Sequence, residues 1–165
     1  MTTTKKRWRE KGRKDAGNFS LIPHAVQDSP NWRASSGTAV KLLCDLARQY
    51  NGRNNGDLCA ARSVLATRGW RSPDTIDRAL HELLHYGFIT LTRQGGRNLA
   101  NLYGLTWQVI DECDGKLDCP ATRIAPGDWK TAKPPFKRRP KIKTSSTESV
   151  ATNYVIRTSG TSKAA

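Results

Sequence analysis

The stretch RSPDTIDRALHELLHYGFITLTRQGGRNLANLYGLTW, residues 71–107, constrains the fold more than any other part of the chain. Its apolar residues recur at helical spacing as far as Tyr86, and after Gly87 the period drops to two. Ser72 stands at the N-cap position and Pro73 in the first turn, where its missing N–H costs nothing. Asp74 lies where the helix dipole favours a negative charge, and Gly87 where a helix ends left-handed. FITLTR, QGGR and NLANLYGLTW then predict a β-hairpin with Gly95 and Gly96 at its tip.

Upstream, SSGTAVKLLCDLARQYNG predicts a helix from about Ser36. Its apolar positions are Ala39, Leu42, Leu43, Leu46 and Tyr50, and Asn51-Gly52 ends it. RNNGDLCA reads as a turn followed by a short extended piece. AARSVLATRGW predicts a shorter helix with Ala61, Val64 and Leu65 inward and Gly69 as its stop. FSLIPHAV supplies an apolar lead of Phe19, Leu21 and Ile22, with Pro23 ending any strand. The expected class is mainly α with a small β-hairpin.

Charge divides the 165 residues into three parts. Net charge is +14, which points to a polyanionic partner. Residues 1–17 carry +5, residues 18–129 only +1, and residues 130–165 carry +8. One compact domain over 18–129, with a C-terminal extension and two basic tails, is the expected organisation. The last segment is rich in Pro, Lys, Ser and Thr without periodicity, a composition that cannot bury enough apolar surface to order itself. Its similar words KTSST and RTSGT are explained by biased composition, and KRRPK by solvated phosphate-binding basicity as well as by an import signal. No run is long and apolar enough to span a membrane, and no apolar run follows the basic residues of the N-terminus as in a secretory signal. Cys44, Cys59, Cys113 and Cys119 are scattered, which predicts reduced thiols in a cytosol rather than a disulfide framework.

The order helix, short strand, helix, turn, helix, hairpin resembles the winged helix-turn-helix family of DNA-binding domains. The resemblance covers roughly residues 35–107 and is carried by NNGDLCAARSVLATRGWRSPDTIDRALHELLHYGFITLTRQGG. The words IPHAV, YNGRNNG and LYGLTW are similar to small winged-helix proteins of bacterial prophages, plasmids and integrative elements. The resemblance implies three helices plus a wing, with the third helix in the major groove of duplex DNA and the wing on backbone or minor groove. It further implies a non-enzymatic protein of the bacterial cytoplasm, associated with the nucleoid, that serves replication, maintenance or transcriptional regulation.

Within the third helix, HELLH matches H-E-x-x-H, which on a helix presents two zinc ligands beside a general base. On a wheel at 100° per residue, Ile76, Ala79, Leu80, Leu83, Leu84 and Tyr86 share the core arc. Asp74, Arg78, His81 and His85 share the opposite one, flanked by Asp77 and Glu82. A zinc hydrolase also needs a third protein ligand and a cleft. Phe88 stands where the longer motif has glycine, and the remaining histidine, His24, lies far upstream. The pattern is therefore read as a surface histidine pair, with a metalloprotease as a remote alternative. Cys113 and Cys119 lack the two-residue spacing of a zinc knuckle. No cofactor, resident metal or catalytic group is expected.

For DNA, Arg71, Ser72, Thr75 and Arg78 lie on or near the leading end of the third helix. Arg62, Ser63 and Arg68 on the second helix suit backbone positioning, and Arg93, Gln94, Arg97 and Asn98 ring the hairpin tip. Lys137, Arg138 and Arg139 begin the basic C-terminal run. For any one arginine a solvated surface charge explains it almost as well; the set is the better argument. The exposed arc carries Asp74, Asp77 and Glu82 against Arg78, net −2, so the tails are expected to supply much of the attraction to phosphates. A protein- or RNA-binding winged-helix adaptor is the alternative reading. The C-terminal tail is a candidate recruiter of a replication or transcription partner. The segment after Trp107 is left two ways to bury itself, against the domain or against a second copy in a homodimer.

Overall fold

The computed structural model describes residues 19–137. Its elements are α1 (His24–Gln27), α2 (Pro30–Ala34), α3 (Gly37–Ala47), β1 (Leu58–Cys59), α4 (Arg62–Ala66), α5 (Pro73–Tyr86), β2 (Ile89–Arg93) and β3 (Leu102–Leu105). Two single 3-10 turns follow, at Cys113–Gly115 and Asp128–Lys130. The described residues thus form a small mixed domain of five helices and three antiparallel strands, rather than helices with a lone hairpin. The sheet order is β1-β3-β2, so the short extended piece at Leu58 joins the hairpin as a third strand.

α3 begins where its cap predicts. The Ser36 hydroxyl accepts the Ala39 N–H at 3.2 Å, and Ala39, Leu42, Leu43, Leu46 and Ala47 are buried at helical spacing. The helix ends at Ala47, short of Tyr50, and the chain continues as turns. α4 buries Leu65 fully but leaves Val64 39% exposed, against the inward position expected for it. With five residues, this helix has room for one buried contact per turn. Gly69, at φ +84°, stops it.

α5 is bounded as the sequence predicts, although the Ser72 side chain makes no cap hydrogen bond. Gly87 closes it at φ +74°, and the Phe88 N–H reaches back to the Leu83 carbonyl at 3.0 Å. A side chain at Gly87 would also stand 2.8 Å from the Asp128 backbone, so this glycine is needed twice. No apolar period in the sequence predicts α1 and α2, because four and five residues are too short for one to show. Their clearest signal is Ser29-Pro30: the Ser29 hydroxyl accepts the Trp32 N–H at 3.2 Å, the cap that Ser72-Pro73 only suggests.

The chain after Trp107 packs back onto its own domain. All four β3 residues are buried, so both faces of that strand are covered, one by the helices and the other by this extension. Gly104 leaves room for Ile110, and Gly56 for Leu117 and Ile110; a Cβ at Gly104 would fall 2.6 Å from Ile110, and one at Gly56 2.7 Å from Leu117 and 3.3 Å from Ile110. Two buried asparagines fasten the extension. The Asn55 amide donates to the Leu105 and Val109 carbonyls at 2.9 and 2.8 Å and accepts the Leu105 N–H at 2.7 Å. Asn31 holds the Trp129 and Thr131 carbonyls at 3.0 and 2.8 Å and accepts the Lys133 N–H at 2.9 Å. These contacts run past residue 129 to Phe136, whose N–H donates to the Tyr86 hydroxyl at 3.0 Å. On the outer side of β1, the Gln49 side chain bonds both the N–H and the carbonyl of Cys59, each at 2.9 Å. On the outer side of β2, Asp118 donates its N–H to Thr92 at 2.9 Å and accepts the Gln94 N–H at 2.7 Å.

Candidate nucleic-acid interface

The turn from α4 to α5 is held by one carboxylate. Asp45, on α3, accepts the Trp70 indole N–H at 2.8 Å, Arg68 Nε at 3.2 Å and Lys41 Nζ at 2.8 Å. Lys41 also donates to the Arg68 carbonyl at 3.2 Å and sits 4.5 Å from the centre of the Trp70 ring. Burial alone would raise the Asp45 pKa, but the hydrogen bonds from Lys41, Trp70 and Arg68 outweigh it and hold the carboxyl below its ordinary value. No motif marks this clamp. The available signals are a tryptophan in a turn and an acid on a mostly apolar helix.

Beyond the clamp, Arg62 and Ser63 on α4 are exposed, as are Arg71, Ser72 and Arg78, while Thr75 is half-buried. Arg68 differs from its neighbours, because its guanidinium is engaged with Asp45. The sheet lies beside this helix: burial pushes the Tyr103 phenol up, an Asn101 hydrogen bond works against that, and the charge of Asp77 on α5 adds to the rise.

The hairpin differs from its expected form. Gly96 and Leu99 exchange both backbone hydrogen bonds, at 2.9 and 3.2 Å, so the tip is Arg97-Asn98 and not Gly95-Gly96. Asn98 takes the left-handed conformation at φ +63°, which asparagine tolerates better than most residues. Gly95 instead passes against the backbone of Leu99 and Ala100, where no Cβ fits. Arg97, Asn98 and Gln94 are exposed. Arg93 is turned inward, donating to the Ala100 carbonyl at 3.1 Å and the Lys116 carbonyl at 3.5 Å.

HELLH separates into three unrelated environments. Glu82 is buried at 5% exposure and accepts the Ser36 N–H at 2.6 Å and the Ser36 hydroxyl at 2.8 Å, capping α3 from another helix. Its placement on the exposed arc is therefore corrected, because a carboxylate on the flank of α5 meets the open N-terminus of α3. The exposed acids of α5 are then Asp74 and Asp77 against Arg78, which halves the net −2 read from the sequence to −1. His81 is exposed, with Nδ1 donating to the Asp77 carbonyl at 2.9 Å and lying 3.4 Å from the Asp77 carboxylate. His85 is half-buried, donating from Nε2 to the Pro134 carbonyl at 2.8 Å with its ring 5.5 Å from Phe136. Among the described residues, no group of three or more His, Cys, Asp and Glu is arranged to hold a metal ion.

Lys137, exposed, is the last described residue and follows directly on the Phe136 anchor. Arg138 and Arg139, with the tails 1–17 and most of 130–165, lie outside the described residues. Compared with family models, with curated proteins and with solved structures, the chain finds no match.

Proposed function

We propose that this chain is a non-enzymatic, duplex-DNA-binding protein built on a winged helix-turn-helix. In this reading α5 enters the major groove, Arg97 and Asn98 form the tip of a wing, and the basic segments add contacts to phosphates. One arrangement carries it. A clamped turn leads into a helix whose leading end exposes Arg71, Ser72 and Arg78, while its rear half is occupied by Ser36, Pro134 and Phe136. Contacts to bases are thereby confined to the end of the helix that a groove would meet first. The helix order and the β1-β3-β2 sheet support the same reading.

Arg71 and Arg78 are the candidates for reading guanine, Ser72 and Thr75 for base or phosphate, and Arg62 and Ser63 for positioning the backbone. The sequence resemblance supports a role in replication, maintenance or transcriptional control of a bacterial mobile element, in the cytoplasm at the nucleoid. No helix among the described residues is long and apolar enough to cross a membrane. The test is a titration of labelled duplex with the full chain and with Arg71→Ala and Arg78→Ala, at two salt concentrations. Each substitution is expected to weaken binding by about 1–3 kcal/mol if it reads a base. Duplex affinity indifferent to both would overturn the proposal.

A further inference from the structure

At the end of β3 away from the wing, the chain forms an open pocket of about 540 Å³. Such a volume is within the roughly 300–1,000 Å³ range of small-ligand sites. Phe19 and Leu21 form part of its wall, and Arg48, Tyr50, Asn51 and Gln108 line it as well. The chemistry of this lining is unusual for a surface depression. Phe19 is 81% exposed and Leu21 65%, so both present apolar surface at the pocket wall. Arg48 is exposed beside them, and Arg53 is exposed on the turn that follows. The lining holds no carboxylate. Asp111 is the acidic neighbour: burial raises the Tyr50 phenol and the charge of Asp111 adds to it, so Tyr50 stays a neutral ring with a hydrogen to donate.

We infer that this pocket accepts an unpaired nucleobase of single-stranded nucleic acid, stacked on Phe19 and Tyr50 with Arg48 at its phosphate. Two flat rings, a guanidinium and the side-chain amides of Asn51 and Gln108 match the needs of a splayed-out nucleotide: a surface to stack on, a counter-charge, and partners for a base edge. A base inside a duplex is already paired and stacked, and would have to be flipped out at the cost of both to enter a pocket. An unpaired base enters without that cost. The site is also distinct from the wing, which lies beyond the Leu102 end of β3, whereas Leu105 at the other end lines the pocket. Residues 5–14, which precede Phe19 in the sequence, carry seven Lys and Arg, a charge that favours phosphate binding by the chain. The inference rests on the nucleic-acid reading above and extends it to a junction of duplex and single strand.

The test uses the full chain with a blunt duplex and with the same duplex bearing a short single-stranded overhang that contains 2-aminopurine. The wild type is expected to bind the overhang form more tightly and to quench the 2-aminopurine as it stacks. Phe19→Ala removes an exposed ring and leaves the core intact, so its melting temperature should not move. It is expected to weaken the overhang complex about tenfold, abolish the quench and leave blunt-duplex affinity unchanged. Arg48→Gln should weaken the overhang complex and make it less salt-sensitive. If Phe19→Ala leaves overhang affinity and quench intact, or weakens both DNAs equally, the pocket is not a base site. If the wild type binds the blunt duplex but gains nothing from the overhang, this inference fails alone. Binding to neither DNA overturns both it and the reading beneath it.

Discussion

Asp45 and Trp70, 25 residues apart, meet through a 2.8 Å hydrogen bond that joins the first long helix to the turn before α5. Arg71 is the next residue, so the bond fixes the point from which the chain enters α5. Asp45→Asn should destabilise the domain by about 1–3 kcal/mol, the usual cost of weakening hydrogen bonds to a charged group. The effect has a pH signature. The folded carboxyl titrates below its ordinary value, so its contribution is full above the unfolded value, near pH 4. It is lost as pH falls through the depressed folded value. Urea unfolding at neutral pH and in acid should therefore show the gap between wild type and Asp45→Asn closing in acid.

Glu82 provides a clear separation between a catalytic motif and a cap. Glu82→Ala leaves the Ser36 N–H and hydroxyl without their acceptor, and should cost about 1–3 kcal/mol. Melting temperature is expected to fall whether or not zinc is added. A stoichiometric zinc content that disappears in His81→Ala, with no change in melting for Glu82→Ala, would revive the hydrolase reading.

The hairpin makes two arginines separable. Arg97 stands at the tip, whereas Arg93 bonds two carbonyls at the base. Arg97→Ala should leave melting unchanged and reduce the salt slope of duplex binding by about one. Arg93→Ala should lower the melting temperature. Calorimetry and anisotropy together would detect a reversal of these roles.

The C-terminal basic run can be removed cleanly only at one place. Truncation after residue 129 removes the Thr131, Lys133 and Phe136 contacts to Asn31 and Tyr86, and should lower the melting temperature. Truncation after residue 137 keeps them, and should change only affinity and its salt dependence. Equal melting temperatures for the two truncations would show that the strap carries no stability.

The helices at Ser36 and Ser72 were legible in the sequence because caps, apolar spacing and terminal glycines act within a few residues of one another. Gly87 announced both the end of α5 and the change to strand. The partners of Glu82 were not legible, since a helical wheel knows only its own axis and Ser36 lies 46 residues away. Asn31 and Asn55 look like ordinary turn residues, and only the returning chain explains their burial. The hairpin tip moved by one residue pair because Gly95 is there for close backbone approach rather than for the turn. Of the candidate contacts, the exposed ones were found by type and position, while the inward turn of Arg93 depended on carbonyls distant from it in sequence.

Gln49 and Asp118 occupy the two outer borders of the sheet, one with a side-chain amide and one with a backbone N–H and a carboxylate. A strand from another molecule approaching either border would find those hydrogen-bonding groups already taken. Copies of the chain brought to high local concentration would thus meet sheet borders that do not invite zipping into shared β-structure.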